Sequence, residues 1–266
     1  MTETAIHPET RAAWAKRLRR LRRALVPHRP KAFRDSLNRW LLMGTVIGIV
    51  SGVGAIIFFF CLETGTHWLL ETLGSYTPPG TLGEGGGATS TGPTRPWAIP
   101  LVVTGGALVS GILVYFVAPT AKGHGTDNAI HAVHHDPTAL KGKVAAVKII
   151  ASALVIGSGG SGGREGPTAQ ISATVISSLC KKLKIATPDA RIAVSAATAS
   201  GIGAIFRAPL GGALLGAELL YRDDMESDAI MPSLVSSIVA FVVFGSVYGF
   251  EPIFGSLNGV QFLSLI

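Results

Sequence analysis

The segment Gly157-Ser-Gly-Gly-Ser-Gly-Gly-Arg-Glu-Gly-Pro-Thr-Ala-Gln170 holds the residues best suited to chemistry. Glycine admits positive φ and lets an ion come close to the backbone. Pro167 suits the first turn of a helix, where its missing N–H costs nothing. A helix is therefore expected to start near Glu165. The free N–H groups of that first turn, with the helix dipole, make an anion site. Such a site holds an ion by partial charges, so the ion can also leave, which conduction requires. A carboxylate at Glu165 can occupy the site itself, and protonation would free it. One side chain would then both gate anions and carry protons. An acid inside an apolar stretch is costly and usually functional. The plainer reading is a surface carboxylate paired with Arg164.

Other readings of the same glycines are weaker. Gly157, Gly159 and Gly162 match the dinucleotide fingerprint, but no strand–helix–strand unit surrounds them. The phosphate-binding P-loop needs a Gly-Lys-Ser/Thr that does not follow. A Gly-rich hinge that only packs helices explains the glycines and leaves Glu165 unexplained.

The elements that would position this segment are apolar. Of the 266 residues, 48% are hydrophobic and 15% charged, against about 25% charged in soluble domains. Mean hydropathy is +0.44. Leu41–Phe60, Trp97–Ala121 and Ala229–Phe250 carry no charge. Roughly 20 apolar residues cross a bilayer, so all three are expected to be transmembrane helices, and three buried helices of a soluble protein are disfavoured. Leu41–Phe60 lies too far along to be a signal peptide. Cys61 and Cys180 support neither a disulfide framework nor a thiolate metal site.

Between the full-length spans lie shorter uncharged pieces, Ile149–Gly163, Gly166–Cys180, Ile192–Phe206 and Ala208–Ala217. Each is too short to cross about 30 Å of hydrocarbon. Short, Gly- and Pro-interrupted segments mark broken helices whose ends meet near mid-membrane, and non-helical backbone at that depth survives only around a cavity or inside protein. Ala193, Ala196, Ala197, Ser200, Gly201 and Gly203 permit close helix contact.

Net charge is +7, with basic residues crowded into Arg11, Lys16, Arg17, Arg19, Arg20, Arg22 and Arg23. Residues 1–38 read as a basic cytoplasmic arm lying against anionic lipid rather than nucleic acid. Residues 75–96 read as a flexible non-cytoplasmic loop. Lys122, Lys141, Lys143 and Lys148 read as markers of cytoplasmic or interfacial chain, as do Lys181, Lys182, Lys184, Arg191 and Arg222. The amino terminus is expected in the cytoplasm, the protein in the cytoplasmic membrane.

The motifs, in order, resemble those of the CLC family of chloride channels and chloride/proton exchangers. Gly163-Arg164-Glu165-Gly166-Pro167 looks like the family signature at the external gating glutamate. Gly123-His124-Gly125-Thr126-Asp127 sits where the family has Gly-Ser-Gly-Ile-Pro. Ala204-Ile-Phe-Arg207-Ala-Pro-Leu-Gly-Gly-Ala-Leu-Leu-Gly-Ala-Glu218 is similar to its Phe-Asn-Ala-Pro-Leu-Ala-Gly stretch and the Glu beyond. The resemblance implies an all-α polytopic membrane protein with broken helices, residues 39–254 forming the first half of an inverted repeat and 255–266 a tail before the second. It implies chloride as the transported ligand, protons as a further partner, a homodimer with one pathway per protomer, and neither enzymatic activity nor an organic cofactor. The family's second repeat supplies a Gly-x-Phe-x-Pro anion loop and a pore-lining Tyr, absent here, so a chain of this length is expected not to function alone.

By that resemblance Glu165 gates. Anion-binding groups are expected at His124, Gly125 and Thr126 on one side and at Gly163, Arg164, Gly166, Pro167 and Thr168 on the other. Secondary candidates are Asp127, Arg207 and Glu218. His124 and Asp127 stand where the family has serine and proline, leaving chloride, nitrate and fluoride open. Leu219 replaces the exchangers' internal proton-relay glutamate, leaving channel and exchanger open. Glu218 is expected to cap or pair within the bundle, and Arg207 to serve packing or electrostatics.

A different function class rests on His124, Asp127, His131, His134 and His135. On a helix, Asp127 and His131 share a face, as do His131 and His134, and imidazole with carboxylate binds transition metals. A metal cation transporter or metal sensor is the alternative, against a solvated helix end.

Overall fold

The computed structural model describes residues 33–78, 92–219 and 227–251. Residues 1–32 of the basic arm, most of the loop 75–96, Arg222 and the tail lie outside the described residues, as does the side chain of Leu219, while residues 33–38 of the arm are helical.

Every regular element among the described residues is helical. In chain order they are α1 (Phe33–Thr66), which runs into a π-helical turn at His67–Leu73, and α2 (Ala98–Val117), followed by a 3-10 turn at Pro119–Ala121. Then come α3 (Thr126–His134), α4 (Gly142–Gly157), α5 (Glu165–Leu183), α6 (Thr187–Ile205), α7 (Pro209–Leu219) and α8 (Ser227–Tyr248). Three helical stretches are long and apolar enough to cross a membrane: Asn38–Leu73, Ala98–Val117 and Ala229–Tyr248. They match the three expected spans. The first is longer than expected because the chain stays helical past Phe60 through its π-turn. At about 1.5 Å per residue its 36 residues outreach the hydrocarbon thickness, so it must tilt or protrude.

α6 is the centre of the bundle and packs against α1, α5, α7 and α8. It is buried on all sides from Ile192 to Ile205. Only small side chains allow such an approach. A Cβ on Gly201 would strike Ser172 of α5, one on Gly203 would strike Ser237 of α8, and Gly216 of α7 lies against Ala199. The small residues of α6 thus do what their sizes predict.

A second close interface was not legible in advance. Gly44, Gly48 and Gly52, four residues apart on α1, face Val235, Val239 and Val243 of α8. The valines fill the groove left by the missing side chains. Arg39 and Asp189 close the bundle at one end with an ion pair between α1 and α6. By contrast α2 leaves Leu101, Leu108, Tyr115 and Phe116 exposed, the outward apolar face that a lipid-facing helix presents.

The helices are broken where the sequence is broken. α4 and α5 are joined by the Gly-rich turn 158–164, and α6 and α7 by residues 206–208. These two turns meet: Gly162, Gly163, Arg164 and Glu165 line one cavity of about 210 Å³ with Ile205 and Phe206.

Candidate anion site

α5 begins at Glu165, as its motif predicts, and Arg164 at its N-cap makes no side-chain capping bond. α3 begins at Thr126 with Gly125 as its N-cap, likewise without a side-chain cap. Two helix N-termini with uncapped first turns therefore point at one region, each a locus of partial positive charge.

Their backbones touch. A Cβ on Gly125 would lie 2.7 Å from the Gly166 carbonyl oxygen, and one on Gly166 would overlap the His124 carbonyl. Gly125 also has φ +111°, a conformation that L side chains avoid. Both glycines are required, one by backbone shape and both by proximity.

Glu165 folds back over the turn, so that a Cβ on Gly163 would overlap its carboxylate oxygens. Its Oε1 lies 3.7 Å from His124 Nε2, with the two side chains 40% and 54% exposed. His124 Nδ1 is 3.1 Å from Thr126 Oγ1. The guanidinium of Arg164 lies 5.3 Å from the ring centroid of Phe59, a cation–π distance.

On the other side of Gly162 and Gly163 opens a larger cavity of about 360 Å³, whose wall includes Ser110, His124, Lys148 and Pro167. Lys148 corrects the sequence reading. It is not an interfacial marker: it is 5% exposed, on the middle of α4. Its Nζ donates to the carbonyls of Ala121 at 3.1 Å and Gly123 at 2.7 Å. A buried ammonium survives when hydrogen-bonded, and these two carbonyls belong to the segment that carries His124. Lys148 thereby holds the loop and places a cation in the cavity wall. Its position in a helix otherwise apolar for a dozen residues was the available signal.

Thr168 is a second correction. Its amide and its hydroxyl both donate to the Arg164 carbonyl, at 3.1 and 2.6 Å. It closes the first turn of α5 and has no donor left for an anion. Gln170, fully buried one turn on, donates to the Thr120 carbonyl at 3.1 Å, which also accepts from Asn128 of α3 at 3.1 Å. This shared acceptor ties α3 to α5 beneath the site.

The secondary candidates sit elsewhere. Asp127 is exposed on the first turn of α3, and Glu218 is exposed on α7. Neither lines either cavity. Arg207 follows the α6 C-cap, Phe206, at φ +52° and donates to the carbonyls of Glu251 at 2.7 Å and Tyr248 at 3.0 Å. It clamps the end of α8 to the turn between α6 and α7, a structural role. In the histidine segment, His131 and His135 stack at 4.2 Å. Among the described residues no three His, Cys, Asp or Glu side chains gather to hold a metal, so the metal alternative has no support.

The chain is similar to known proteins. Residues 106–265 match the family model described as voltage gated chloride channel. A chloride/fluoride channel protein of Pseudomonas syringae is 25% identical over 204 residues, covering 77% of this chain and 40% of its own. An H(+)/Cl(-) exchange transporter ClcA of Vibrio campbellii is 28% identical over 217 residues, 80% of this chain and 42% of its own. The crystal structure of a slow cyanobacterial Cl-/H+ antiporter shares the fold, with a TM-score of 0.60 at 22% identity over 80% of this chain and 48% of that one. The chain spans about half the length of the curated relatives it matches. With the match covering more than half its residues, the chain belongs to the voltage gated chloride channel family.

Proposed function

We propose that the chain forms one wall of a transmembrane anion pathway, with chloride as the transported ion and Glu165 as its gate. The observation that carries this is the meeting of two uncapped helix N-termini, α3 and α5, with the Glu165 carboxylate lying between their loops. Backbone amides there replace hydration without a formal charge. A carboxylate in that place competes with an anion, and its protonation vacates the place. The buried Lys148 adds positive potential to the wall.

The names of the relatives, a chloride/fluoride channel and proton-coupled chloride exchangers, support the anion and raise protons as the second ion. In this reading residues 39–254 act as one repeat, with the amino terminus in the cytoplasm of the cell and the assembled protein a homodimer in lipid.

The test is chloride efflux from proteoliposomes, with external pH followed in parallel. It uses the chain alone and the chain co-expressed with the second half of a similar protein, each with Glu165 and with Glu165→Ala. Chloride efflux with opposed proton movement that only the variant lacks supports a proton-linked gate. Chloride efflux without a proton signal makes it a channel. No anion flux in any assembly sinks the proposal.

A further inference from the structure

The His124 ring is held from two sides. Thr126 Oγ1 engages Nδ1 at 3.1 Å, and the bare Cα of Gly166 lies beneath the ring, where a Cβ would come within 2.6 Å of Nδ1. With Nδ1 so engaged, Nε2 is the nitrogen presented to Glu165 Oε1, at 3.7 Å. That separation is too long for a hydrogen bond and within reach of an ion pair, so the contact is governed by charge.

Among the charged groups around His124, Glu165 is the acid that stands within ion-pair distance. From α4, Lys148 reaches the neighbouring Gly123 carbonyl. Lys122 lies on the loop itself and lines the same cavity. Arg164 lies on the turn before α5, facing Phe59. Asp127 is exposed on α3. α2 brings no charged side chain to the cavity.

We propose that His124 is a positioning residue for Glu165: its imidazolium holds the carboxylate between the two loops, and its neutral form releases it. Histidine is the side chain whose charge changes between about pH 5 and pH 8, and a charged ring attracts a carboxylate where a neutral ring does not. The inference rests on Glu165 being the gate. It adds that the gate is a His–Glu pair, in which the charge on the ring sets how firmly the carboxylate closes the pathway.

The contact can be read without flux. In lipid vesicles holding the chain with ¹⁵N-histidine and ¹³C-carboxyl glutamate, dipolar dephasing between the two labels is measured at about pH 5.5 and about pH 8. His124→Gln is subtracted to remove other pairs, such as His67 with Glu71 at 2.9 Å. The part that depends on His124 is expected to be strong at the lower pH and to fall at least about twofold at the higher. An equal signal at both, or none that His124→Gln removes, overturns the proposal. In the co-assembled transporter, His124→Lys is expected to keep chloride efflux low across the window and His124→Gln to keep it high, while the unmodified protein switches. A His124→Gln profile identical to the unmodified one overturns the proposal. If the contact tracks pH while efflux ignores Glu165→Gln, the pairing stands and the gate reading fails, so the two failures are distinguishable.

Discussion

The ammonium of Lys148, midway along α4, donates to the Gly123 carbonyl at 2.7 Å, one residue before His124. A second bond, to Ala121 at 3.1 Å, makes Lys148 the support on which this loop rests. Replacing it with methionine keeps the stem and strands two carbonyls. A hydrogen bond to a charged group contributes about 1.5–3 kcal/mol, and a stranded buried acceptor costs a similar amount. Lys148→Met is therefore expected to destabilise the protein by about 2–3 kcal/mol, read as a lower thermal midpoint in detergent. An unchanged midpoint would show that the loop stands without it.

Gly48 tests the α1–α8 interface. A Cβ there would lie 2.5 Å from the Ser236 carbonyl oxygen and 2.7 Å from Val239 Cβ. The carbonyl belongs to a helix and cannot step aside. Gly48→Val is expected to cost about 1–3 kcal/mol by overpacking, whereas Gly105→Val on α2, where nothing lies within 4 Å, should leave the melting curve where it was.

Gly166 tests the convergence of the two N-termini. Alanine there collides with the His124 carbonyl, pushing the α3 loop off α5. The expected result is chloride binding weakened about tenfold, equivalent to about 1.4 kcal/mol, with helix content by circular dichroism preserved. Undiminished binding would mean that the two loops do not share an anion.

Arg207 separates a clamp from backbone strain. Its φ of +52° is unfavourable for any L side chain by roughly 1–2 kcal/mol. Arg207→Ala loses the bonds to Tyr248 and Glu251 and keeps the strain, while Arg207→Gly loses the bonds and relieves it. The alanine variant should therefore be less stable than the glycine variant by about 1 kcal/mol, measured by denaturant or heat.

Asp136, in the α3–α4 loop, accepts from the Thr138 hydroxyl at 2.7 Å and amide at 2.9 Å. These bonds, the hydroxyl foremost, hold its carboxyl below the usual carboxylate range. A lowered value favours the folded turn above the ordinary Asp titration at about pH 3.9, and that support fades as pH falls through the lowered value. Exchange of the Thr138 amide should thus be slowest, after correction for intrinsic rates, above about pH 4 and lose protection in stronger acid. A Thr138 amide equally protected through that acid range would contradict the turn.

Local pattern was enough for the parts of this protein that depend on local physics. Long uncharged runs became the three long helices because apolar length is a property of consecutive residues. The Gly-rich turn and Pro167 located the start of α5, because φ freedom and a missing N–H act within one turn. The small residues of α6 announced close helix contact. Partnership was another matter. Gly44, Gly48 and Gly52 are visible as a spacing, but only the fold supplies Val235, Val239 and Val243 opposite them. Lys148 looks like an interfacial cation, and what turns it inward is a pair of carbonyls more than twenty residues away along the chain. Thr168 looks available until its hydroxyl is seen on Arg164. His124 and Glu165 are separated by two helices in sequence and stand 3.7 Å apart in space. Which donors are already engaged, and which charges face one another, follows from how helices pack, and that depends on contacts between segments that no local window contains.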